Sequence, residues 1–220
     1  LDPPNAPQIN EQLVALVSYN VLEILGPGPT PARLLDLARQ AHAWADGLMA
    51  RFEADNPLPH PIACRPGCDF CCHNQIEVIP LEALAIGSYV QGLPEAEQES
   101  LQDRIEASLA LRTGKTKNEI ARSRREFPCP FLHQGLCAIY PVRPLVCRAM
   151  HSLDVVRCEQ ALADEDLSPD RYYLHRDEIV RSIIKGLTDG CRAVGCQAAP
   201  LDLVGAVQRH LQEPHKVMER

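Results

Sequence analysis

Ala63-Cys64-Arg65-Pro66-Gly67-Cys68-Asp69-Phe70-Cys71-Cys72-His73 places four cysteines within nine positions, as Cys64-x3-Cys68-x2-Cys71-Cys72. The triplet Arg65-Pro66-Gly67 reads as a turn that brings Cys64 from a loop toward Cys68, Cys71 and Cys72 at the start of a helix. Unpaired amides and the positive dipole end at such a start favour thiolate, the form that binds metal. In a reducing setting such close spacing points to metal rather than to disulfides.

A second group follows as Cys129-x7-Cys137-x9-Cys147-x10-Cys158, set among Pro128, Pro130, Pro141 and Pro144. Loops dense in proline and cysteine carry little apolar material, and a shared metal centre supplies the energy that fixes them. Eight cysteines exceed the four of one closed tetrahedral zinc site or one iron-sulfur cube, so either some are not ligands or there is more than one metal. Other readings of the same residues lack their context. Cys64-x3-Cys68-x2-Cys71 fits the three-cysteine signature of radical S-adenosylmethionine enzymes, but the repeated strand and helix units of a barrel do not follow it. Cys68 and Cys71 have the spacing of a thioredoxin pair without the alternating strand and helix pattern.

Working outward, the chain reads as mainly α, a helical arm plus an irregular, loop-rich cysteine-cluster domain with little β. From Gln8 to Leu25 the residues Leu13, Val14, Val17, Val21, Leu22 and Leu25 recur at helical spacing. Gly26-Pro27-Gly28-Pro29 ends that helix. Thr30 as cap and Pro31 at the first helical position then start a second, with Leu34, Ala38, Ala41, Ala45, Leu48 and Phe52 on its stripe. Trp44 reads as core. Ile76-Glu77-Val78-Ile79 reads as extended and stopped by Pro80; helices follow over 81–92, 95–125, 175–188 and 200–212, the last with Leu201, Val204, Val207 and Leu211 on one face. The expected division is a helical arm over 1–58, a cysteine-cluster metal-binding domain over 59–160, and C-terminal helices over 161–220 packing on that domain.

The chain has 220 residues, 45% of them hydrophobic, which is enough for a core without covalent staples and removes the motive for a disulfide scaffold. With no signal-type segment opening the sequence, the expected location is cytoplasmic. No run of about eighteen apolar residues occurs, so no membrane span is expected. A formal charge of -7 argues against nucleic acid or anionic lipid as partner, and the one basic run, Arg122-Ser123-Arg124-Arg125, reads as a solvated helix end.

The stretches 63–73, Cys129-Pro130-Phe131-Leu132 and Cys137-Ala138-Ile139-Tyr140-Pro141-Val142-Arg143-Pro144-Leu145-Val146-Cys147-Arg148 resemble, in that order, the YkgJ-like cysteine-cluster proteins, the CxxCxxCC zinc- or iron-chelating domain. The resemblance covers about residues 60–160. It implies metal binding by Cys64, Cys68, Cys71, Cys72, Cys129, Cys137 and Cys147, with Cys158 an eighth member. The family often separates its first pair by two residues, where this chain has three. A flagellin lysine methylase that uses an iron-sulfur cluster contains a similar domain, which favours iron or a four-iron four-sulfur cluster over zinc.

Three functions are therefore compatible with the sequence: metal handling, sensing or redox; a cluster-dependent enzyme such as a methyl transferase; or a structural zinc module whose arm binds a protein partner. His73 and His151 are the best non-cysteine ligand candidates, each read first as support for the ligands. Arg143 and Arg148 read as donors to sulfur or as partners of carboxylates. Tyr140 is expected to pack under its loop, with its hydroxyl toward the cluster. Cys191 and Cys196 lie outside the resembling region and read as ordinary thiols.

Overall fold

The computed structural model describes residues 8–164, 167 and 172–213. The remaining parts of the ranges 1–58 and 161–220 lie outside the described residues. Helix α1 (Glu11–Leu25) starts where the Asn10 side chain accepts the Leu13 N–H, and α2 (Pro31–Asp55) starts at Thr30, which accepts from Arg33 N. Val14, Val17, Val21 and Leu25 of α1 are buried; Leu22 is exposed. On α2 the buried stripe runs through Leu37, Ala38, Ala41, Ala45 and Met49. It leaves out Leu48 and Phe52, and Phe52 instead stacks on His175 at 4.4 Å. Trp44 is partly buried against this core.

The partner of α1 is α8 (Leu174–Ala193), and small residues set how close the two come. A Cβ on Gly186 would lie 2.6 Å from Val17 Cβ and 2.7 Å from the Val14 carbonyl oxygen; one on Gly190 would lie 2.6 Å from Val21 Cβ. Only glycine permits that approach. Glu53 of α2 is held by Arg176 at 2.6 and 2.9 Å and by His175 at 3.0 Å, which ties α2 to α8. These three helices enclose one apolar core with α6 (Leu145–Ala149) and part of α3 (Pro80–Gln91).

A second core lies on the other side of α3, against α4 (Glu95–Arg112) and α9 (Leu203–Gln212). Because α3 serves both cores, it is buried nearly all round, as Leu81 and Ala85 face one and Ile86 and Val90 the other. Pro80 ends the extended segment by beginning this helix. Strand β1 (Glu77–Val78) pairs antiparallel with β4 (Leu201–Asp202), so Leu201 lies on a strand rather than on the α9 face. The expected helix over 95–125 is interrupted: Gly114 takes φ +76°, and Thr116 and Glu119 form a capping box that restarts the chain as α5 (Lys117–Arg122).

The proline-rich stretch holds a short hairpin, β2 (Leu132–His133) with β3 (Leu136–Cys137), turned by Gln134 and Gly135, both at positive φ as a type I′ turn requires. Cys147 and Cys158 lie on helices, α6 and α7 (Val155–Ala163), where the sequence suggested loop. Among the described residues no helix is long and apolar enough to cross a membrane.

Candidate metal centre

Arg65-Pro66-Gly67-Cys68 forms a turn closed by the Cys68 N–H on the Arg65 carbonyl at 2.9 Å, with Gly67 at φ +87°. Proline second and a positive-φ glycine third are the requirements of a type II turn. The chain then makes one 3₁₀ turn over Phe70–His73. Cys64 is fixed from the far side of the sequence: Ser152 N–H donates to Cys64 Sγ at 3.3 Å, and Ala63 N–H donates to the Ser152 carbonyl at 2.9 Å. The two cysteine motifs are joined through backbone, since the Cys129 N–H donates to the Cys72 carbonyl at 2.7 Å.

The thiols fall into two sets that meet at Cys71. Cys64, Cys68, Cys71 and Cys158 line a cavity of about 320 Å³. Cys129, Cys137 and Cys147 act on one another electrostatically, and Cys71 acts on Cys64, Cys68, Cys137 and Cys147. The side chain of Cys72 lies beside that of Cys71 as a hydrogen-bonding neighbour, both thiols being free. The expected activation of thiolate by a helix start does not occur. The hydrogen bond to Cys72, followed by burial, pushes the Cys71 thiol well up; burial pushes up Cys64, Cys68, Cys137 and Cys147 and takes Cys129 to about 11. One 3₁₀ turn has too few aligned amides to outweigh the desolvation of these thiols, to which neighbouring sulfurs add.

Glu82 links this centre to α3. It is buried, accepts from Ile79 N at 3.1 Å and from Leu145 N at 2.7 Å, and burial raises its pKa to about 7. The position of α6, and so of Cys147, depends on this carboxyl, which the sequence offered no signal to find beyond a glutamate in a first helical turn.

The other candidates separate clearly. His151 Nδ1 lies 2.7 Å from the Ala149 carbonyl, and its Nε2 accepts the Tyr173 N–H at 2.7 Å, so neither ring nitrogen is left for a ligand. His73 Nδ1 is buried with no hydrogen bond. Arg148 pairs with Asp46 at 2.6 Å and donates to the Pro141 carbonyl at 2.6 Å, the carboxylate role rather than the sulfur role. Arg143 lies 3.9 Å over the Tyr140 ring and partly opposes the upward push of burial on Cys137; Tyr140 itself is exposed rather than packed beneath the loop. Cys191 is buried in the first core, its pKa pushed by burial to about 12, and Cys196 packs beside that core.

Residues 63–182, more than half of the sequence, match the family described as "CxxCxxCC: Putative zinc- or iron-chelating domain". The chain belongs to this family. Metal chelation through cysteine is thus the family's description as well as the chemistry of the donor set. Neither a curated protein nor a solved structure matches the chain.

The thiols fit such a metal in kind: they are soft donors, mutually repelling when ionised, and paired with no disulfide partner among the described residues. They are not closed on one point, since among the described residues no group of three or more Cys, His, Asp and Glu side chains is gathered to grip an ion.

Proposed function

We propose that this chain holds a thiolate-bound iron centre of the iron-sulfur kind through Cys64, Cys68, Cys71, Cys72, Cys129, Cys137, Cys147 and Cys158, with one side open to a small molecule. The observation that carries the reading is the cavity. A structural zinc site is closed by its four ligands, whereas Cys64, Cys68, Cys71 and Cys158 form the wall of a space large enough for a further ligand. A bound iron centre supplies electron transfer or Lewis acidity there. The chain supplies the rest. Ser152 orients Cys64, Cys71 belongs to both thiol sets, and Arg143 offsets thiolate charge near Cys137. Ligand closure requires the thiols to lose protons that their burial retains, so uptake of metal releases protons and tightens the loops together. A role in metal handling, sensing or redox follows from such a centre; the same cavity favours, as a second reading, an enzyme acting on a bound substrate.

Anaerobic purification with elemental analysis and a visible spectrum tests the proposal. Iron with sulfide and broad visible absorption is expected. A colourless protein carrying stoichiometric zinc would overturn the iron-sulfur assignment.

A further inference from the structure

The basic run Arg122-Ser123-Arg124-Arg125 is not merely a solvated helix end. Its Arg124 begins a 3₁₀ turn, Arg124–Glu126, that packs against both cysteine-bearing elements, the Phe70–His73 turn and α7. From there Arg124 lines the cavity beside Asn74, whose Oδ1 lies 3.5 Å from the guanidinium. Three charged side chains line this space, and two of them neutralise each other, Asp177 with Arg181 at 2.7 Å. Arg124 makes no ion pair among the described residues. His151, the one imidazole on the wall among the described residues, has both nitrogens engaged. Phe70, Val146, Met150 and Leu162 make an apolar stretch of the wall, Ser152 and Tyr172 add hydroxyls, and the thiols complete it.

We propose that the cavity binds a small organic carboxylate, its head on Arg124 and Asn74, its short apolar body along Phe70, Val146, Met150 and Leu162, and one end facing the thiols. A planar guanidinium with most of its N–H groups unused matches a carboxylate through two parallel bonds, and the Asn74 amide nitrogen adds a third donor. Among the described lining residues the other cation, Arg181, is already paired with Asp177, which disfavours a phosphate dianion. A cavity of about 320 Å³ suits a ligand of modest size. The inference rests on the metal-centre reading for its purpose, because the ligand lies against the cysteines; its geometry stands on Arg124 and the cavity.

Calorimetric titration of hexanoate into the full, metal-loaded chain tests it, with hexanamide as the uncharged counterpart, inorganic phosphate as an anion lacking a chain, and metal per chain counted on the same samples. Saturable hexanoate binding is expected, with no hexanamide binding and weaker phosphate binding. Arg124→Ala should weaken hexanoate by about 10- to 100-fold at unchanged metal content. Failure of the wild type to bind hexanoate, equal binding by Arg124→Ala, or phosphate binding as tight as hexanoate would each overturn the assignment. If Arg124→Ala loses metal because its charge balances the thiolates, Arg124→Lys decides: it keeps the charge and loses the fork, and affinity equal to wild type would overturn the proposal. A chain that holds no metal yet binds hexanoate through Arg124 supports the cavity assignment and fails the metal reading.

Discussion

The α1, α2 and α8 frame and the segment 61–77 are held in different ways. In the frame, Val17, Val21, Leu37, Ala41, Ile183 and Leu187 are each at most 2% exposed, and glycines let α1 and α8 meet at backbone range. Between residues 61 and 77 no residue is more than partly buried, though this segment carries half of the candidate ligands. A segment without a core of its own is ordered by a few backbone bonds and by whatever its thiols bind. The frame should therefore fold without metal, and the centre should not.

Removing metal gives the largest expected difference between the two regions. Treatment with a strong chelator should open 61–77 to limited chymotryptic cleavage after Phe70 while helical circular dichroism is largely kept. Simultaneous loss of all helical signal would join the two regions into one cooperative unit and break the contrast. A smaller effect, confined to the frame, is expected of Gly186→Ala, which forces a methyl to within 2.6 Å of Val17 and should cost about 3 kcal/mol. Thermal unfolding measures the loss, and the metal content of the still-folded variant should equal that of wild type.

The smallest expected effect is electrostatic. The Arg176 hydrogen bonds, with a weaker contribution from His175, hold the Glu53 carboxyl down at about 2 from an ordinary 4.5. A depressed carboxylate pKa means that its stabilisation is present above pH 4.5 and disappears as pH falls toward 2. Denaturant titrations of wild type and Glu53→Gln should differ most at pH 5 and converge near pH 2. A constant difference across that range would remove Glu53 from the account of the frame.

Much of this contrast was legible in the residues. The helix starts at Asn10 or Thr30 and the punctuation by Gly26, Pro31 and Pro80 depend on local grammar, and local grammar is written in sequence. The stripe on α2 was misjudged because Leu48 and Phe52 keep the period but drift off the buried face over 25 residues, while Leu37 and Met49 drift onto it. At the site, spacing singled out cysteines of which Cys64, Cys68, Cys71 and Cys158 line one cavity, and the resemblance named the family that the chain belongs to. It could not reveal that Ser152 fixes Cys64, that Glu82 anchors Leu145, or that both nitrogens of His151 are engaged, since each contact joins residues whose pairing depends on tertiary packing. The thiolate expectation failed for a related reason. It weighed the helix start and not the desolvation of the thiols, with the neighbouring sulfurs second, and only the fold determines either.

The central claim is that the crowded thiols meeting at Cys71, and not the remaining cysteines, hold the metal. Metal per chain in anaerobically purified Cys71→Ser, set beside Cys191→Ser from the first core, tests it most directly. The account predicts that Cys71→Ser loses the bound metal while Cys191→Ser retains the wild-type amount; equal metal in Cys71→Ser and wild type would contradict it.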